Sequence, residues 1–254
     1  MSMPHTSPWL RVGAGAVHLY TASGAVLALL IVLAAIDGNA VAALWLGLVA
    51  LIIDGTDGML ARRFKVRERL PWFDGARLDD IVDYLTYVFA PVLLLWTTGY
   101  LPEGAQGLAL SALPLLASSY QFCRVDAKTE DYFFLGFPSY WNLVAFYAIV
   151  FDFSTAVVGL IFFVCSALVF IPVRYVYPSR TQAFRGLTLA LTAGWLGVYA
   201  VILAQMPYPH PFWTSLSLVY LVYYLGLSVY LTAQRHRSED LTPGPDLRLS
   251  DATP

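Results

Sequence analysis

Charge is what this chain has least of. Only 13% of its 254 residues are Asp, Glu, Lys or Arg, while 58% are hydrophobic. A soluble domain carries roughly 25% charged residues, so this composition excludes one and predicts an integral membrane protein. The mean hydropathy of +0.64 agrees. Net charge is also small, at −2, which gives no electrostatic case for a polyanionic partner; no nucleic acid is expected. Cysteine is scarce: Cys123 and Cys165 both fall inside apolar segments and read as packing residues, which excludes a disulfide framework or a thiolate metal site. Met1 to Pro8 lacks basic residues and no soluble domain follows the first apolar stretch, so no cleavable signal is expected. Internal repeats and low-complexity tracts are absent as well.

What is present is a series of apolar stretches, each close to the length of about 20 residues needed to span a bilayer. They lie near 14–36, 40–61, 79–99, 106–123, 138–152, 154–175, 186–205 and 213–233. Eight spans are therefore expected, the fifth being short. All fifteen Lys and Arg residues fall at Arg11, in 62–77, at Arg124 and Lys128, in 174–185, or from Arg235 onward. The alternate connections, near Asp37, at 99–105, near Asp152 and at 206–212, hold none. This alternation follows the positive-inside rule and predicts an even number of spans with both termini cytoplasmic. Residues 1–235 form the expected polytopic catalytic domain, and 236–254 a polar tail expected to be disordered.

Against that apolar background four carboxylates stand close together. The run Asp54-Gly-Thr-Asp57-Gly58-Met-Leu-Ala61-Arg62 is followed, after a basic loop of twelve residues, by Gly75-Ala-Arg-Leu-Asp79-Asp-Ile-Val-Asp83. Asp54 and Asp57 are three apart and Asp79 and Asp83 four apart, so on helices each pair shares one face. Ionised carboxylates at a bilayer are costly unless a cation neutralises them. Oxygen-only ligands select hard cations, Mn²⁺ or Mg²⁺. A pair of such ions held by shared carboxylates would clamp a diphosphate and stabilise an in-line displacement. Gly58, Ala61 and Gly75 remove side-chain bulk where a nucleotide would approach, and Arg62 offers a planar fork for a phosphate.

The residues Asp54-x-x-Asp57-Gly58-x-x-Ala61-Arg62 … Gly75-x-x-x-Asp79-x-x-x-Asp83 closely resemble the signature of the CDP-alcohol phosphotransferase family. The fold this implies is an all-α membrane protein with a six-helix core plus two C-terminal helices. The resemblance further implies that Asp54, Asp57, Asp79 and Asp83 bind metal, that Asp83 is also the catalytic base, and that Gly58, Ala61, Arg62 and Gly75 line the CDP pocket. Thr21 and His18 of the first span stand where family members commonly carry an Asn…Thr element beside the nucleotide, His18 replacing the Asn. The linker between Arg62 and Gly75 is longer than is usual in the family.

Within the family, the longer loop, the eight spans and the stretch Thr129 to Asn142 resemble the bacterial phosphatidylcholine synthase branch. That branch implies transfer of a phosphatidyl group from CDP-diacylglycerol to choline with release of CMP, in the bacterial inner membrane, with the site on its cytoplasmic side. A manganese or magnesium cofactor and a homodimer are implied too. Choline is a quaternary ammonium recognised by aromatic faces and nearby acids, and Tyr84, Tyr87, Tyr120, Tyr140, Trp141, Glu130 and Asp131 are the candidates. Other acceptors remain open, namely serine, glycerol 3-phosphate or an inositol phosphate, because Arg124, Lys128, Arg174 and Arg180 share that side. A cation transporter is a remote alternative: related halves or broken helices at matching positions are not visible in the sequence.

Overall fold

The computed structural model describes residues 8–240. Long apolar runs fold as helices because a helix satisfies its own backbone hydrogen bonds without water. Helix α1 covers Pro8–Ile36 and α2 Ala40–Arg63. Between them Gly38 turns the chain at φ 71°, and the Asn39 side chain accepts the Ala42 N–H at 3.0 Å, capping α2. The short helix α3, Val66–Arg69, lies in the basic loop. It accommodates the extra linker length: Val66 is buried against Ala14 and Val17 of α1.

Asp74 caps α4, Gly75–Asp83, by accepting the Arg77 N–H at 3.1 Å. The helix continues through a π-helical turn, Tyr84–Phe89, into α5, Ala90–Thr97. Pro91 explains the wider turn. Without an N–H it cannot bond the carbonyl four residues back, at Tyr87. Helices α6 (Gly104–Cys123), α7 (Trp141–Val150), α8 (Thr155–Leu168), α9 (Arg185–Ala204) and α10 (Pro211–Asp240) complete the body. Helix α10 carries the expected tail's first residues; 241–254 lie outside the described residues.

Two of the expected spans are shorter as helices than their apolar stretches. α7 has 10 residues and α8 has 14, rising about 15 and 21 Å against a hydrocarbon core of about 30 Å. Ser139 at φ 60° precedes α7, and Pro172 disfavours helix at Ile171 beyond α8. The freed chain forms a feature that the apolar pattern did not disclose, an antiparallel pair of strands. Strand β1 (Phe133–Leu135) pairs with β2 (Arg174–Val176) in the register Phe134↔Tyr175.

Among the described residues four helices, α1, α2, α9 and α10, are long and apolar enough to cross a membrane by themselves. Their outer faces are apolar: Val222 is 71% exposed and Leu19 72%, as lipid contact demands. The interior packs around Trp141, Phe146, Phe162, Leu94, Leu95 and Ile202. Contacts tie several basic connections to neighbouring elements: Lys128 reaches Asp80 at 3.1 Å, the Arg174 N–H reaches Thr232 at 3.0 Å, and Arg62 lies within electrostatic reach of Arg180 and Arg185.

Candidate active site

Two glycines set the position of α1 against α4. A Cβ at Gly24 would fall 2.5 Å from Val82 Cγ1, and one at Gly75 would fall 2.7 Å from His18 Cε1. The helices therefore approach more closely than larger side chains permit. Thr21, between His18 and Gly24 on α1, also reaches α2, where its hydroxyl donates to Asp57 Oδ2 at 2.8 Å. One residue back on each helix, Tyr20 and Thr56 share a 2.9 Å hydrogen bond.

Asp54 and Asp57 of α2 meet Asp79 of α4 in one group, their ligand oxygens all within 4.8 Å of one another. Asp83 abuts Asp54 from α4. The π-helical turn that follows Asp83 brings Tyr87 onto the same carboxylate, its hydroxyl donating to Asp54 Oδ2 at 2.5 Å. Thr21 and Tyr87 thus orient two carboxylates from outside the group, as outer hydrogen bonds do at metal sites. This all-oxygen set fits a hard divalent cation.

No family model matches the chain, but curated relatives do. Phosphatidylcholine synthase of Pseudomonas aeruginosa is 39% identical over 229 residues, covering 90% of this chain and 95% of that protein. The enzyme of the same name from Legionella pneumophila is 41% identical over 223 residues, 85% of this chain and 87% of its own. That from Agrobacterium fabrum is 36% identical over 214 residues, 84% and 87% respectively. The chain belongs to the phosphatidylcholine synthase family.

The sequence candidates for this phosphatidylcholine synthase family site are placed unequally. The four aspartates and Thr21 come together. Gly58 lies beside Arg62, its would-be Cβ 3.4 Å from Nη1. Ala61 packs with Leu60 on the Ala14–Val17–Val66 cluster, and His18 sits between Gly75 and Phe73, whose ring centroid is 4.3 Å away. Nε2 of His18 is buried without a hydrogen-bond partner.

Of the seven acceptor candidates, Tyr87 and Tyr140 are neighbours, with ring centroids 6.0 Å apart; Tyr87 bonds Asp54 and Tyr140 lies within its electrostatic reach. The other five are engaged elsewhere or stand apart. Trp141 is fully buried and its Nε1 donates to Ser118 at 2.7 Å. Tyr84 donates to the Leu115 carbonyl at 3.0 Å. Tyr120 lies against Phe170 in a tilted pair, ring centroids 5.0 Å apart, and Glu130 is exposed. Asp131 is bound to Arg174 at 2.8 Å; burial opposes its charge, but the Thr129 hydroxyl and Arg174 outweigh it and hold the carboxyl below its ordinary range.

Several residues at the site were not among the metal, nucleotide or choline candidates from sequence. Lys128 reaches Asp80 at 3.1 Å and Asp79 at 4.0 Å. Burial works against its charge, yet the two aspartates outweigh it and push its pKa above the ordinary lysine value. Tyr177 lies within electrostatic reach of Asp54, Asp79 and Lys128, and Phe134 stacks on it at 4.6 Å. Tyr224 meets Tyr140 at 6.1 Å. The signal for Lys128 was its position in a connection with only one other basic residue, Arg124. The aromatics depend on strand pairing, which leaves no such mark.

Proposed function

We propose that this chain transfers the phosphatidyl group from CDP-diacylglycerol to choline and releases CMP, using Asp54, Asp57, Asp79 and Asp83 at the cytoplasmic side of a bacterial inner membrane. The observation that carries this reading is the convergence of three carboxylates within 4.8 Å, in a chain of the phosphatidylcholine synthase family. Asp54, Asp57 and Asp79 would hold the divalent cation, Mn²⁺ or Mg²⁺, with Asp83 completing the set for a second ion. Bound there, such ions supply Lewis-acid stabilisation to the diphosphate.

The protein residues do the rest. Asp83 accepts the choline hydroxyl proton while the oxygen attacks the phosphorus that bears diacylglycerol. The bond from that phosphorus to the CMP phosphate breaks, and CMP departs past Arg62. Tyr87 and Tyr140, backed by Phe134, Tyr177 and Tyr224, present aromatic faces beside Asp54 for the quaternary ammonium. Gly58, Gly75 and His18 border the nucleotide. Both termini are cytoplasmic in this reading and the protein works as a homodimer.

Purified protein in detergent, given CDP-diacylglycerol, Mn²⁺ and labelled choline, is expected to form labelled phosphatidylcholine and equimolar CMP. Asn at each of the four aspartate positions in turn should abolish both products. Equal CMP release without choline, or preferential labelling from serine or glycerol 3-phosphate, would overturn the acceptor.

A further inference from the structure

The connection between β2 and α9 is built tightly. Thr181 is buried; its hydroxyl oxygen accepts the Tyr177 N–H at 2.8 Å and its own hydroxyl donates to the Tyr132 carbonyl at 2.6 Å. The N–H groups of Arg180 and Thr181 both bond the Tyr177 carbonyl at 2.9 Å. This turn lays the Arg180 guanidinium 5.4 Å from the Tyr132 ring and leaves its Nε buried with no hydrogen-bond partner. A buried, unpaired donor on a cation is costly unless an acceptor arrives.

Helix α9 then starts at Arg185 and packs on α2, so that Arg185 comes near Arg62 at the end of α2. Arg180, Arg185, Asp57 and Tyr177 all lie within electrostatic reach of Arg62. Two further guanidiniums, on separate segments, thus lie within electrostatic reach of Arg62, and the nearby carboxylate, Asp57, already takes the Thr21 hydroxyl within the aspartate group. No side chain caps the N-terminus of α9, so the helix dipole adds positive potential at the same place. Like charges held together in this way repel unless an anion lies between them.

We propose that Arg180 and Arg185 join Arg62 and the first turn of α9 in a binding site for the phosphate of the departing nucleotide. This deepens the proposed function and rests on it. When the choline oxygen bonds to phosphorus, the bond from that phosphorus to the bridging oxygen breaks and its electron pair stays on that oxygen. The hydroxyl proton goes to Asp83. The nucleoside monophosphate thereby gains a full negative charge as it leaves, and guanidinium forks are matched to its oxygens. Charge that develops in the transition state is where fixed cations accelerate a reaction most.

The test compares CMP with cytidine, which lacks the phosphate, by equilibrium dialysis of labelled ligand against purified protein at saturating Mn²⁺ without choline. Wild-type protein should prefer CMP. Arg180→Gln and Arg185→Gln should each weaken CMP roughly tenfold while cytidine affinity holds, and Arg180→Lys should recover part of the loss. An unchanged CMP-to-cytidine ratio in both Gln variants would overturn the proposal. So would parallel loss of both ligands in the Gln and Lys variants, which marks a structural role. If wild-type protein makes phosphatidylcholine while the ratios stay flat, only this proposal falls. If it makes none, the proposed function falls whatever the ratios.

Discussion

Gly75→Ala sets two physical effects against each other, and the structure decides between them. Gly75 is the first residue of α4, where alanine improves helix propensity by at most about 1 kcal/mol. The added methyl, however, would lie 2.7 Å from His18 Cε1 and 3.3 Å from Nδ1. His18 is backed by the Phe73 ring at 4.3 Å and must be displaced by several tenths of an ångström. Overpacking of that kind costs about 1–3 kcal/mol, so the variant should be less stable. The thermal midpoint in detergent, followed by tryptophan fluorescence, should fall by several degrees. His18→Ala removes the obstruction, and the double variant Gly75→Ala/His18→Ala should regain most of the loss, a coupling well beyond the few tenths of a kcal/mol that separate independent sites. Additive effects, or a Gly75→Ala protein as stable as wild type with a raised KM for CDP-diacylglycerol, would refute the packing argument. The glycine would then serve nucleotide approach alone.

Asp83→Asn keeps the shape of the side chain and removes the base, so turnover should drop by about 10²–10⁴ with an unchanged thermal midpoint; wild-type-like phosphatidylcholine formation would refute the assignment. Tyr87→Phe deletes the hydroxyl that orients Asp54, and the Mn²⁺ concentration for half-maximal activity should rise about 10- to 100-fold; an unchanged metal titration would show the hydrogen bond to be incidental. Trp141→Phe should cost about 1–3 kcal/mol of stability, because it leaves buried Ser118 without its partner, yet the KM for choline should not move. A large rise in that KM in a well-folded variant would return Trp141 to the acceptor pocket.

Much of this was legible along the chain because it depends on short-range spacing. Asp54 and Asp57 share a helix face whatever surrounds them, as do Asp79 and Asp83. The aromatic candidates were less legible. Tyr84, Tyr87, Tyr140 and Trp141 all flank the signature or lie in the same apolar stretch, but which of them faces Asp54 depends on rotation about the helix axis. The π-helical turn before Pro91 brings Tyr87 to Asp54 and leaves Tyr84 on α6. Tyr140 stays at the site while Trp141, one residue on, turns into the core. Composition sees none of this, because a tyrosine is equally at home in a membrane interface and in a binding site.

The sequence alone determined that the chain belongs in a membrane, that its helices alternate in the charge of their connections, and that four aspartates lie in two local pairs with a phosphatidylcholine synthase resemblance. Those properties follow from composition and from separations of a few residues, which a helix preserves. Only the tertiary structure decided that the two pairs meet, that Thr21 and Tyr87 hold them, and that Lys128 and Tyr177 border them. Those neighbours come from loops and a strand pair far away in sequence, and their approach is set by close helix packing at Gly24 and Gly75 and by the pairing of β1 with β2. A contact across fifty or a hundred residues is a property of packing, and packing is decided by all the elements at once.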